Sequence, residues 1–195
     1  MEKIGYINKN NLNLANGLNS IDVLKNIEIQ YGYRDIVEER RDVVQPICAG
    51  VVITKNNKIL TINKNSKSTG KKSPEKDKTL LYIGGHLDIA DISKSHLQTF
   101  ANGMKREIEE EIGLKINENS VQTPILTYTP ISEKSAKHFG IIFPIIVQKD
   151  FNTSFTDGKC KFIDMENVCT INNLESWSEI ILKEIIYKSN FDKHV

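Results

Sequence analysis

The segment Arg106-Glu107-Ile108-Glu109-Glu110-Glu111-Ile112-Gly113-Leu114 concentrates the side chains most able to do chemistry. On a helix, Glu107, Glu110 and Glu111 stand at i, i+3 and i+4, so three carboxylates project from one side. Like charges gathered this way destabilise an isolated helix, and the arrangement calls for a compensating cation. Hard oxygen ligands select Mg²⁺ or Mn²⁺ over metals that prefer thiolates. A divalent ion held there could bridge phosphate oxygens, neutralise charge developing at phosphorus and acidify a bound water. Arg106 precedes Glu110 by four residues and can hold that carboxylate as an i, i+4 pair. Gly84-Gly85, at the end of a short apolar run, would let the backbone approach a phosphate without a Cβ in the way.

These residues need a helix and several strands to position them. Leu97, Ala101, Met104, Ile108 and Ile112 recur three or four apart, which predicts a helix over about 97–112, and Gly113 follows as a C′ glycine. Gly103 inside it costs about 1 kcal/mol relative to Ala. Upstream, Ile47–Ile53 and Ile59–Ile62 flank Asn56-Asn57 and predict a hairpin, with Pro46 opening the pattern. Leu80–Ile83 reads as a strand that stops at Gly84-Gly85. Two further strands are predicted near Val121–Tyr128 and His138–Val147, and a shorter one at Phe162-Ile163. A final amphipathic helix is expected from roughly Leu174 to Tyr187. Residues 64–78 are polar and Lys-rich, with Gly70 and Pro74, and read as a surface loop. Residues 1–46 differ from the rest. Their turn-rich start is followed, after the N-cap candidate Ser20, by Ile21, Leu24, Ile27 and Tyr31 near helical spacing. They read as an N-terminal extension packed on a main domain of residues 47–190. Strands followed by helices, with hairpins between, indicate a mixed α/β layer fold rather than a regular βαβ winding.

Composition narrows the function classes. The chain has 195 residues, enough for one domain with a sizeable core. Its 26 Lys and Arg against 25 Asp and Glu leave a formal charge of +1, so no strong electrostatic footprint for nucleic acid or an anionic membrane is present. The apolar run Phe139–Val147 is too short to span a bilayer and is broken by Gly140 and Pro144. No secretory signal is visible at Met1–Tyr6, and Cys48, Cys160 and Cys169 form no C-x-x-C pair. Reduced, structural thiols and a cytoplasmic location are expected.

The stretch Arg106 to Leu114, behind a strand ending in Gly84-Gly85, resembles the second half of the Nudix box at every fixed position. The first half departs from that pattern, which places a Glu six residues after its glycine and an Arg eight residues later. Here Arg106 follows Gly85 by 21 positions, seven more than the pattern, and no Glu lies between them; Asp88 or Asp91 is the available substitute. The extra residues are expected within Leu87–Gln98. Similarity to a subgroup of predicted Nudix phosphoesterases extends to Gly84-Gly85-His86, Lys137-His138-Phe139-Gly140-Ile141 and Glu175-Ser176-Trp177-Ser178. The resemblance implies a Nudix-like α/β/α sandwich with a mixed β-sheet and Mg²⁺-dependent (or Mn²⁺-dependent) hydrolysis of a diphosphate joined to another moiety. Carried over, Glu107, Glu110 and Glu111 are metal ligands and catalytic, with Arg106 orienting them. Gly84, Gly85, His86 and His138 are substrate-binding candidates, and Glu133, Asp157 and Glu166 are candidates for a later carboxylate. An isolated histidine beside a turn is more often structural, and Trp177 reads as a packing anchor.

Three functions are compatible with this reading. The first is a pyrophosphohydrolase acting on a nucleoside diphosphate derivative or related phosphorylated small molecule. The second is a binding module that senses a nucleotide without cleaving it, motivated by the stretched box and its missing Glu. The third, action on RNA ends, is disfavoured by the near-neutral charge. No membrane or nucleic-acid partner is expected, and no residue pattern in the sequence supports a homodimer.

Overall fold

The computed structural model describes residues 2–64, 75–155 and 158–187. Its elements, in order, are β1 (Lys3–Asn8), β2 (Gly17–Asn19), β3 (Gln30–Tyr33), α1 (Arg34–Glu39), β4 (Val43–Thr54), β5 (Lys58–Lys64), β6 (Thr79–Leu80), β7 (Ile83–His86), α2 (His96–Ile112), β8 (Ile125–Tyr128), β9 (His138–Val147), β10 (Gly158–Asp164), α3 (Met165–Val168) and α4 (Ser176–Ile181). Among the described residues the strands form one mixed sheet whose main path runs β10-β5-β4-β9-β8-β2.

β4 and β9 are the spine. They run parallel from Gln45 opposite His138 to Thr54 opposite Val147, both in the middle of the sheet. A strand covered on both faces is apolar at nearly every position, which is why these segments read as continuous hydrophobic runs. β4 turns into β5 through Asn57, at φ 60°, while Thr54 Oγ1 accepts from Lys58 N at 2.8 Å. Met104 and Ile108 of α2 cover one face of the sheet at Gly50; on the other face Trp177, in α4, packs over Gly140. Helix, sheet and helix thus form the three layers expected, with Phe100, Met104, Ile108, Phe139, Phe143 and Ile181 sealed in the core.

α2 runs from His96 to Ile112. Ser95 caps it by accepting from Gln98 N, and Gly113 ends it at φ 70° with its N–H donating to Glu109 O. Three expectations are corrected. The segment after Ser20 makes a single 3₁₀ turn at Ile21–Leu24 instead of a longer helix, and Tyr31 belongs to β3, where it pairs with Gly5. The strand expected over Leu80–Ile83 is split: Thr79–Leu80 pairs with β5, and a second strand from Ile83 runs through both glycines to His86, because they pair with Ala49 and Cys48 of β4. The last helix begins at Ser176 and changes at Leu182 from α to π hydrogen bonding. Residues 3–33 supply three strands. β1 pairs with β3 and β4, β2 pairs with β8, and Ile4, Ile7, Leu12, Leu24 and Ile27 are all buried.

Candidate active site

β7 and α2 lie side by side, which brings Gly85 against the carboxylate side of the helix. A Cβ at Gly85 would run into the Glu107 carboxylate, so the space that glycine leaves is occupied by a side chain of this protein. At Gly84 a Cβ would strike the β4 backbone at Cys48 and Ala49. The glycine pair is therefore required first for sheet pairing and for seating Glu107.

Arg106 organises the cluster. Its Nε donates to Asp91 Oδ1 at 3.1 Å, and Nη2 donates to Asp91 Oδ2 at 3.0 Å and to the His86 carbonyl at 2.9 Å. Nη1 donates to Glu107 Oε1 at 2.8 Å and to Glu110 Oε2 at 3.1 Å. A guanidinium has five N–H bonds in a fixed fork, and here each meets an acceptor. Asp91 is buried at 4% exposure, and its Oδ2 also accepts from Asp88 N at 2.8 Å. Asp88 Oδ1 in turn accepts from Ala90 N, so both aspartates hold the turn, but only Asp91 reaches Arg106. Asp91 lies six residues after Gly85, where the resembled pattern has its Glu, so the seven extra residues fall after Asp91. Counting forward from Gly85 was the signal that could have singled it out.

Burial raises the Glu107 carboxyl above its usual range. Arg106 opposes that shift, and Glu110 and Glu111 add to it. A partly buried group of carboxylates offers oxygen donors alone, a chemistry that suits Mg²⁺ or Mn²⁺. Among the described residues no three metal-ligating side chains converge on a common point.

The remaining candidates divide by location. His86 and His138 lie on the opposite face of the sheet, ring centroids 5.4 Å apart in an edge-to-face arrangement. His86 Nε2 is 2.9 Å from Oε1 of the fully buried Gln45, and His138 Nδ1 is 2.8 Å from the Lys134 carbonyl. Burial, then the neighbouring His138, pushes the His86 imidazole down to about 3, and burial lowers His138 as well. Glu133 is exposed at the surface, 3.7 Å from Arg41. Glu166 lies exposed at the start of α3, beyond β10. Asp157 lies outside the described residues. Trp177 is buried against Tyr82, as a packing anchor would be. Sequence reasoning missed a second polar cluster, beside β6 at the side of the sheet. Tyr82 Oη lies 3.3 Å from Glu75 Oε1 and 3.2 Å from Glu175 Oε2, and Lys64 Nζ lies 2.9 Å from Glu75 Oε2.

No protein-family model matches the sequence, and no curated relative matches it. Solved structures do. Tm1382, provisionally described as a Nudix hydrolase, superposes with a TM-score of 0.72 at 21% identity, covering 93% of this chain and 97% of that one. The chain has the Nudix fold. DR0079 from Deinococcus radiodurans is similar over 93% of this chain and 98% of its own, with a TM-score of 0.55 and 11% identity. A bifunctional NMN adenylyltransferase/ADP ribose pyrophosphatase from Francisella tularensis, complexed with AMP and a Mn ion, matches 74% of this chain with a TM-score of 0.54 and 18% identity. The match takes up 42% of that larger chain. In the Nudix fold found here, α2 is the helix that carries the acidic segment, and no helix among the described residues is long and apolar enough to cross a membrane.

Proposed function

We propose that this protein is a Nudix-type hydrolase that cleaves a pyrophosphate linkage in a nucleoside diphosphate derivative or related phosphorylated small molecule. The observation that carries the reading is the Arg106 network, in which one guanidinium holds Glu107 and Glu110 on one side and Asp91 with the β7 backbone on the other. Glu107, Glu110 and Glu111 would hold Mg²⁺ or Mn²⁺. When bound, such an ion supplies Lewis acidity and lowers the pKa of a coordinated water. The protein's own residues set the geometry. Arg106 fixes the Glu107 and Glu110 side chains, and Gly85 admits Glu107 to the strand. A carboxylate whose pKa burial has raised is suited to accepting a proton from the attacking water. His86 and His138 lie on the far face of the sheet from these carboxylates, with Gln45 and the Lys134 carbonyl as their partners, and have no part in this reading.

A sensing module that binds without hydrolysis is motivated by the stretched box and its missing Glu; Asp91 stands at the position of that Glu and holds Arg106, while the seven extra residues remain. The chain reads as a cytoplasmic enzyme with residues 47–190 as its hydrolase domain and 1–46 as an extension to it. ADP-ribose is the first substrate to test, because a structurally similar protein is described as an ADP ribose pyrophosphatase. Product release should require Mg²⁺ or Mn²⁺ and should fall by about 10²-fold or more in Glu110→Gln, with the thermal midpoint unchanged. Wild-type turnover in that variant, with unchanged metal dependence, refutes the assignment. Tight ligand binding without product would favour the sensing reading.

A further inference from the structure

We propose that β1 belongs to the working site: Gly5 is a positioning residue that clamps the Leu87–Asp91 turn and, through Asp91, fixes the guanidinium of Arg106. This rests on the hydrolase reading, in which Arg106 orients Glu107 and Glu110.

Arg106 depends on a short segment of chain. Three of its five hydrogen bonds go to residues 86–91: Nε and Nη2 each donate to Asp91, and Nη2 donates also to the His86 carbonyl. That segment has little to hold it from within. Ile89–Asp91 is a single 3₁₀ turn, closed by Asp88 Oδ1 accepting from Ala90 N at 2.8 Å and by Asp91 N donating to Asp88 O at 3.1 Å. A lone 3₁₀ turn has poor hydrogen-bond geometry and orders few residues. Ile89 and Ile92, at its two ends, are exposed, so its outer side is open to water. From α2, Asn102 Nδ2 donates to the Asp91 carbonyl at 3.1 Å.

The opposing restraint comes from the first strand of the chain. β1 pairs with β3, with Gly5 opposite Tyr31. Gly5 N also donates to the Leu87 carbonyl at 2.8 Å, and Ile4 forms an antiparallel bridge with Asp88. Further along, Ile7 and Asn8 pair with Val44 and Val43, which anchors β1 to the β4 spine. Ile4 and Leu87 are fully buried, which shields the clamp from water.

The absence of a side chain at Gly5 permits this approach. A Cβ there would lie 3.0 Å from Leu87 Cδ2 and 3.2 Å from Leu87 Cβ, closer than carbon atoms pack. The β1 backbone therefore rests directly against Leu87, and a larger residue at position 5 would press Leu87 outward. Leu87 lies between His86 and Asp88. Its displacement would reach both the His86 carbonyl and the Asp88 N–H that donates to Asp91 Oδ2. One strand of residues 1–46 thus sets where the arginine finds its acceptors.

The test is hydrogen exchange by NMR on the full chain without ligand. In wild type the Gly5 and Asp88 amides and the Arg106 Nε–H should open as one unit, with the same dependence on denaturant. Gly5→Val should speed exchange at Asp88 N–H and Arg106 Nε–H about tenfold or more, the effect of weakening one hydrogen bond. Amides in the middle of β4 and β9 should keep their protection. Gly32→Ala is the control: it crowds the same strand pair at the α1 side, its Cβ 2.9 Å from Val37 Cγ2, and should leave Arg106 unchanged. Turnover of ADP-ribose with Mg²⁺ should fall about tenfold in Gly5→Val, in kcat more than in KM. In an Asp91→Asn background the same substitution should cause no further loss. A Gly5 amide that opens independently of Asp88 in wild type overturns the assignment, and this measurement decides the matter if Gly5→Val does not fold. Unchanged exchange at Arg106 in Gly5→Val, equal acceleration throughout β4 and β9, or an equal response to Gly32→Ala also overturns it. If the three groups open together and Gly5→Val loosens Arg106, yet wild type hydrolyses no diphosphate compound, the hydrolase reading fails and the positioning assignment stands.

Discussion

Arg106 and Arg34 make the same kind of contact in two different places. Arg34 donates to Glu38 at 2.8 Å and to Glu2 at 3.0 Å, much as Arg106 donates to Glu107 and Glu110. The difference is what lies behind each guanidinium. Arg34 and both its partners keep 44–49% of their side-chain surface exposed, and water could replace either carboxylate. Arg106 is 26% exposed and is backed by Asp91 at 4%, which has no comparable access to water. An exposed ion pair exchanges one good environment for another and is worth about 0–1 kcal/mol. A buried pair must be kept whole, because removing one member strands the other's charge. The lesson is that proximity of opposite charges says little about stability until the solvent access of each is known.

The most forceful way to break this contrast is Asp91→Ala. It leaves Arg106 without its buried partner and should lower the stability by about 3–5 kcal/mol in chemical denaturation, with activity falling in parallel because Glu107 and Glu110 lose a fixed guanidinium. A loss below about 1 kcal/mol would show that Asp91 is no more than another surface carboxylate.

Acid should reach the same region through His86, whose carbonyl is one of Arg106's acceptors. The folded imidazole titrates at about 3, against 6.5 for an unperturbed one, so between those values the unfolded chain takes up a proton that the folded chain refuses. Stability from this group is present above pH 6.5 and is lost progressively as pH falls toward 3. Glu107 and Glu175, held high by burial, contribute with the opposite sign, so the useful measurement is a difference. Wild type should lose more of its thermal midpoint between pH 7 and pH 4.5 than His86→Gln does. Equal losses would remove His86 from the account.

The smallest effect belongs to Arg34→Ala, which should cost less than about 1 kcal/mol and shrink further in high salt, as judged by the same denaturation midpoints. A cost comparable to that of Asp91→Ala would erase the distinction between the two arginines.

Much of this was legible before any coordinates. The 3.6-residue spacing of Leu97, Ala101, Met104, Ile108 and Ile112 foretold the carboxylate helix, Gly113 its end, and the largely apolar segments Ile47–Ile53 and His138–Val147 the covered strands β4 and β9 at the centre of the sheet. Local periodicity is reliable there because the segments are long and their buried faces repeat. It failed after Ser20, where only Ile21–Leu24 turn and Tyr31 is drawn into β3 by pairing with Gly5. It failed again at Gly84-Gly85, which look like a strand's end but continue a ladder with β4.

By itself, the sequence determined that three carboxylates would share one side of a helix, with an arginine one turn before Glu110 and a glycine pair upstream, since these follow from helical geometry and chain order. Only the tertiary structure decided that Asp91 and not Asp88 closes on Arg106, that the Gly85 gap is filled by Glu107, and that Lys64, Glu75, Tyr82 and Glu175 meet. Those contacts join residues up to 93 positions apart through strand pairing and burial, and no local pattern of residue types encodes which distant side chain a folded sheet will bring within hydrogen-bond reach.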